Sequence, residues 1–287
     1  MSATTGENAR PGSPWAGSSD LFYDSKSYRY RFAFTQIGDA FDDELGFLTR
    51  IGVRKYRADL NRIVWPQGTV FRQAWFTYDL DYVTDLSGRL VSRVNNVQAN
   101  TFFQNSSGLA FKGYDDLEVL SRPFAVHPGI VIPPGAYRFP WSFFGFQTDY
   151  GRRFGGAAQI SGGRYFDGHF VQVLYGLTYH PFPGLLIQPE LQTTRVSLPE
   201  GRFTTNLLLG QIDYGITPDL ALRLWVQANR GQSQRTQLVL HWIYRPGASL
   251  YVVYQDLKKH ADLFDPQQPV AGVPGRQLVT KIVYVLF

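Results

Sequence analysis

Asp79 and Asp81 are separated by one residue in a stretch, 73–82, that alternates polar and apolar side chains. On a strand this spacing puts both carboxylates on one face, about 7 Å apart. Two carboxylates so placed could hold a divalent cation or divide acid–base work between them. The plainer reading is one wet face of a sheet, and the neighbouring alternation favours it. The histidines are His127, His169, His180, His241 and His260. None forms an HxxxH or HExxH pair, so a helix-borne zinc site is unsupported. His180 and His260 lie in or beside turns and read as solvated. No GxSxG elbow, P-loop or dinucleotide fingerprint occurs. Cys is absent, which excludes disulfides and thiolate metal sites. The sequence therefore calls for no cofactor and no metal, and names no catalytic residue.

The elements that would position these groups are clearest between residues 198 and 255. Turn signals at 217–219 (TPD), 229–234 (NRGQSQ) and 245–247 (RPG) cut this stretch into segments of roughly ten residues, the length of a tilted membrane-spanning strand. Leu220, Leu222, Leu224, Val226 and Ala228 share one face, with Arg223, Gln227 and Asn229 opposite. Leu238, Leu240, Trp242 and Tyr244 share another, with Gln237, His241 and Arg245 opposite. Period-two alternation separates an apolar from a polar sheet face. Similar segments recur from Tyr28 onward and give about fourteen strands, with no strong helical period. A soluble β-sandwich would alternate in the same way, but usually with shorter strands of roughly five or six residues.

The chain has 287 residues, 44% of them hydrophobic, with 17 Tyr, 22 Phe and 6 Trp. No apolar run approaches the roughly 18 residues of a transmembrane helix. A barrel needs none, because its polar lumen face dilutes the average, and its interfacial girdles use aromatic rings. The net charge of +5 is scattered along strands rather than clustered, which argues against nucleic acid and suits anionic lipid headgroups. The Gly/Ser/Pro-rich residues 1–26 read as a flexible lead-in without the apolar core of a signal peptide.

Four stretches carry a resemblance: DDELGFLTR (42–50), IPPGAYRF (132–139), LPEGRFTTNL (198–207) and WIYRPGASLYVVYQ (242–255). From about Tyr28 onward the chain resembles the C-terminal β-barrel region of outer-membrane proteins of unknown function, which often carry an N-terminal domain similar to family-nine carbohydrate-binding modules. The resemblance implies an outer-membrane location and a link to glycan handling through a domain this chain lacks. It also implies a shortened relative or the C-terminal part of a larger barrel, and it supplies no catalytic residues.

The expectation is an all-β fold: an antiparallel transmembrane β-barrel of about fourteen strands over 27–287. The expected function is that of a non-enzymatic outer-membrane channel or transport component. Its partners would be outer-membrane lipid and lipopolysaccharide, the barrel-assembly machinery through the C-terminal strand, and glycans. The rival readings are a barrel-borne or accessory glycan hydrolase and a soluble carbohydrate-binding β-sandwich. With the apolar faces toward lipid, the pore-lining residues would be Arg29, Arg31, Asp79, Asp81, Glu190, Asp213, Arg223, His241 and Arg245. The Pro/Gly-rich loop at 121–135 is expected either outside the cell or folded inward as a constriction. Counting back from a periplasmic Phe287 puts the three longest connections, 38–49, 121–135 and 256–276, on one side.

Overall fold

A computed structural model describes residues 2–3, 11–42, 50–229, 233–259 and 275–284. In chain order the strands are β1 (Ser2–Ala3), β2 (Trp15–Asp24), β3 (Tyr28–Ile37), β4 (Val53–Val64), β5 (Phe71–Asp85), β6 (Leu90–Phe103), β7 (Gly108–Leu120), β8 (Phe124–His127), β9 (Ile130–Ile132), β10 (Gly135–Gln147), β11 (Phe154–Tyr165), β12 (Gly168–Tyr179), β13 (Leu185–Leu198), β14 (Gly201–Thr217), β15 (Leu220–Asn229), β16 (Ser233–Arg245), β17 (Ala248–Lys259) and β18 (Gly275–Tyr284). The structure is 78% strand with no helix among the described residues, so the all-β expectation holds. β1 to β7 and β10 to β18 follow one another in a single antiparallel sheet, each bonded to its neighbour in sequence. Fifteen of these strands are long, and the two-residue β1 adds to the edge of β2. β8 and β9 form a separate hairpin. Among the described residues no ladder joins β18 to β1 or β2.

The alternation decides which side chains share a face, and the register carries that choice from strand to strand. Leu222 lies opposite Leu240, Leu224 opposite Leu238, and Trp242 opposite Leu250. Leu250 lies opposite Ile282. In the other direction Ile212 meets Leu224, Ile187 meets Ile212, and Leu191 meets Leu208. The same face continues through Tyr175, Ile160, Phe144, Phe111 and Tyr78 to Phe32 and Leu21. Its apolar groups stand bare: Leu177 is 64% exposed, Tyr175 60% and Leu21 70%, so nothing described covers this face. In β18 the even residues Leu278, Thr280, Ile282 and Tyr284 lie on it, which leaves Lys281 opposite Tyr251 on the other face. The last three residues, 285–287, lie outside the described residues, as do 43–49 and 260–274 within two of the long connections.

One expectation needs correction. The segment 1–26 is not simply a flexible lead-in, because Trp15–Asp24 is a full strand paired with β3 from Ala16–Ile37 to Asp24–Arg29. Its Gly and Ser residues conceal the alternation in composition. Leu21 and Tyr23 nevertheless fall on the apolar face, while Asp20 and Asp24 meet Arg31 and Arg29 at 2.5 and 2.9 Å on the other. This strand makes the long-strand count fifteen where the alternation alone suggests about fourteen.

The connections sort by edge. One edge carries 38–52, 86–89, 121–134, 166–167, 199–200, 230–232 and 260–274; the other carries only short links, including 104–107, 218–219 and 246–247. The three longest connections therefore share an edge, as the loop parity suggests. Close approach of strands is visible at Gly163, whose φ of 153° lies where side chains are rarely tolerated. A Cβ there would sit 2.5 Å from the Pro140 carbonyl oxygen and from the Trp141 Cα. Gly163→Ala is expected to cost roughly 1–3 kcal/mol or more, through backbone strain and that overlap. Gly210→Ala, with open space around its Cβ, should be near neutral. Urea-unfolding midpoints check this, and equal midpoints would overturn the strand approach described.

Candidate functional site

The polar face is the candidate site. Its first half is a field of opposite charges. Arg57 lies 3.0 Å from Asp59 and 3.9 Å from Asp81, and Asp59 stands directly opposite Asp79 in the ladder. Gln98 donates to Asp79 at 2.8 Å and to the Asn96 carbonyl oxygen at 3.0 Å. Asp79 and Asp81 do share a face, and each has a partner of its own: Gln98 donates to Asp79, and Arg57 lies beside Asp81. A row of polar residues crosses the strands here: Asp24, Arg29, Asn61, Thr77, Gln98 and Lys112 are successive partners. The ion pairs are well exposed, so they shape the potential of the face more than they add to stability.

The second half is dominated by amides. Gln188, Gln211, Trp225, Gln237, Gln255 and Gln277 are successive ladder partners on five strand pairs. One indole thus stands in a row of five primary amides. Asp213 accepts from both Gln211 and Arg223, and Arg223 is its ladder partner. Glu190 lies opposite Leu209 and Gly176. His241 stacks flat on Tyr251, with centroids 4.3 Å apart. Between these strands opens a cleft of about 580 Å³, lined among others by Gln211, Arg223, Trp225, Arg235, Gln237 and Gln277. Amide rows and a flat indole match hydroxylated, uncharged ligands better than they match a single ion.

Of the nine sequence-predicted site residues, eight share this face: Arg29, Arg31, Asp79, Asp81, Glu190, Asp213, Arg223 and His241. Arg245 does not join them. A bulge between Ile243 and Arg245 shifts the register, so Arg245 lies opposite Ala248 with its guanidinium 4.5 Å above the Tyr284 ring, on the apolar face. Simple parity cannot anticipate a bulge, which adds a residue and reverses every side chain beyond it. The glutamine row was the residue set that the sequence reading missed. Its signal was present in the alternation, but only the register aligns five separate segments.

The loop at 121–135 is folded onto the polar face. Its β8–β9 hairpin packs Ile130 and Ile132 against Tyr137, Phe166, Val196 and Leu198, with Phe139, Phe170 and Phe203 around them. Ile132 is 1% exposed. The Tyr137 hydroxyl donates to the Pro133 carbonyl at 2.8 Å, and His127 stacks on Phe203 at 4.5 Å. This is the main buried apolar cluster of the described residues, and it sits at the long-connection edge. The Pro and Gly residues that make the segment read as a loop are the turn chemistry of the hairpin.

The chain matches no known family model, and no characterised protein sequence matches it.

Removing the hairpin's anchor should free it without dismantling the sheet. Ile132→Ala is expected to cost about 2–5 kcal/mol of local seating. Limited chymotrypsin digestion should then cut after Phe124 at least tenfold faster, with the strand signal in circular dichroism unchanged. Unaltered cleavage would show that the hairpin is not held by this cluster.

Proposed function

We propose that this chain forms a transmembrane β-barrel of an outer membrane and passes small, uncharged hydrophilic solutes through its polar interior, without chemistry of its own. The observation that carries the reading is the pair of faces: one apolar face running through every long strand, exposed at Leu21, Tyr175, Leu177 and Ile282 and half-buried along β15 and β17, and one polar face running behind it. A soluble sandwich would have to cover that apolar face with a second sheet, and the described residues contain none. The strands run from ten to seventeen residues, enough to cross a bilayer at a tilt. Aromatic rings gather toward the short-turn edge, with Tyr23, Tyr179, Trp242, Tyr244 and Tyr284 among them, as an interfacial girdle would. Closure of the sheet belongs to the proposal, because a bilayer offers no hydrogen bonds to a free strand edge.

In this reading the long connections face outward, the short turns face the periplasm, and the β8–β9 hairpin narrows the outer mouth. Charges of both signs line one half and amides line the other, so neither sign of ion is strongly favoured. The amide row with Trp225 provides chemistry suited to sugars as the solute class. The even residues of β18 give the assembly machinery an apolar strand to engage.

Liposome swelling with mono- and oligosaccharides tests the channel. Swelling is expected with small sugars and should reach larger ones when 124–132 is replaced by a short Gly/Ser link. Indifference of swelling rates to the protein would end the channel reading. The barrel itself is tested by facing. Leu224→Arg on the apolar side should lose roughly 2–4 kcal/mol of membrane stability, while Gln227→Arg on the polar side should be tolerated. Equal effects on heat-modifiable gel mobility would refute the facing. Orientation is tested by single Cys at Pro128 and Pro218 on intact cells. An impermeant thiol reagent should reach Pro128→Cys and spare Pro218→Cys; the reverse pattern would invert the topology.

A further inference from the structure

The apolar face is not apolar to its end. Along the long-connection edge it ends in a rim of arginines, and most of them are engaged. Arg93 and Arg138 share Asp115 at 2.7 and 2.5 Å. Arg54 donates to Gln36 at 3.0 Å, and Arg276 lies 3.8 Å from Asp256. At the opposite edge Arg62 and Arg245 lie over the rings of Tyr28 and Tyr284. Three others on the face have no such partner among the described residues: Arg164 on β11, Arg195 on β13 and Arg202 on β14.

These three are neighbours. Arg164 lies opposite His169, His169 opposite Ser197, and Ser197 opposite Arg202, a row that crosses four strands. Arg195 stands one step inward, opposite Val171. All four basic residues are exposed. The flanking turns carry the exposed acids Asp167 and Glu200, and no ion pair joins either to these arginines among the described residues. Immediately below the basic row the same four strands present Ile160, Val171, Tyr175, Leu191 and Leu208, all strongly exposed. A cationic row above a bare apolar slope matches an amphiphile with a phosphorylated head and acyl chains. The row spans three inter-strand steps, roughly 14 Å. That is wide for one phosphate and suits a headgroup bearing more than one. Planar guanidinium forks are suited to phosphate oxygens, and phosphate contacts at a lipid interface are screened less than in bulk water.

We propose that this edge of β11–β14 binds a multiply phosphorylated glycolipid of the outer leaflet, the chemistry of lipopolysaccharide, through Arg164, Arg195 and Arg202. The site rests on the barrel reading, since it needs the apolar slope to face acyl chains. The experiment reconstitutes the full chain, the variant Arg164→Gln/Arg195→Gln/Arg202→Gln, and the control Arg152→Gln/Arg153→Gln from the opposite edge. Each enters vesicles of phosphatidylcholine alone, with phosphatidylglycerol, or with lipopolysaccharide. Lipid retained through detergent extraction and affinity purification is then measured, with heat-modifiable mobility as the check on insertion. The full chain and the control should retain lipopolysaccharide, and the triple variant should retain about tenfold less while inserting normally. If the triple variant inserts poorly, Arg195→Gln alone is read in the same way, with a several-fold loss expected. Equal retention by variant and full chain overturns the site while leaving the barrel intact. Retention of phosphatidylglycerol as strong as that of lipopolysaccharide overturns the assignment to a multiply phosphorylated head. Failure of the full chain to insert into any vesicle overturns the barrel, and the site with it.

Discussion

The register of one antiparallel sheet, carried from strand to strand, is the constraint on which the rest depends. Each pair of strands is fixed by backbone hydrogen bonds, and each pairing passes the choice of face to the next strand. A slip of one residue anywhere would move a whole strand's apolar set to the polar side. The chain pins the register in several ways. Short turns such as 218–219 and 246–247 leave little slack. Charged partners such as Asp213 with Arg223 and Asp20 with Arg31 can meet only in one alignment. Close backbone contacts, such as Gly163 under Trp141, admit only one residue type at one depth.

The usual sink of hydrophobic energy is missing from this arrangement. A soluble domain of this length would bury its large apolar groups in a core. Among the described residues the one sizeable buried cluster belongs to the β8–β9 hairpin, while nothing described covers the apolar face. On the proposed reading, the sheet's stability comes from its ladders and from the bilayer that meets that face. The same feature links fold and proposed function. A medium that solvates the apolar side leaves the polar side as the only route for water and solutes. The hairpin, seated at one end of that route, has its place because the polar face there gives way to Tyr137, Phe139, Phe170, Val196 and Phe203. Polar in the middle and apolar at the mouth, the face can hold a plug by hydrophobic contact without closing its whole length.

Much of this was legible in the sequence, because period-two alternation is both the folding signal and the facing signal. Most strands from β3 onward in the main sheet read this way, and so does the edge shared by the long connections; β11 is Gly-rich and weak, and the final strand alternates poorly until the register sets Lys281 opposite Tyr251. The failures were local and physical. β2 opens on a Gly-Ser-Ser run that hides its alternation, and its pairing with β3 shows in Leu21 opposite Phe32, Tyr23 stacked on Tyr30 and two ion pairs. Arg245 follows a bulge, which parity counting cannot see. The glutamine row could not be found from any one segment, since it exists only across strands. The hairpin's Pro and Gly residues announced a loop correctly, while Ile130 and Ile132, which decide where it docks, look unexceptional without their partners.

Two chemistries now share one end of the sheet, and their separation follows from the pleat. Along β13, Val196 and Leu198 turn to the hairpin on the polar face, while Arg195 and Ser197, alternating with them, turn to the basic row on the other face. Along β14, Phe203 faces His127 while Arg202 beside it faces the rim. The hairpin's seat and the arginine row are therefore interleaved residue by residue on the same strand ends. An anionic lipid that fixed Arg195 and Arg202 would hold those ends from outside, as the hairpin holds them from within. The mouth of the proposed channel and its contact with the surrounding leaflet are, on this geometry, mechanically one element. Loosening either side should be felt by the other through backbone that both share.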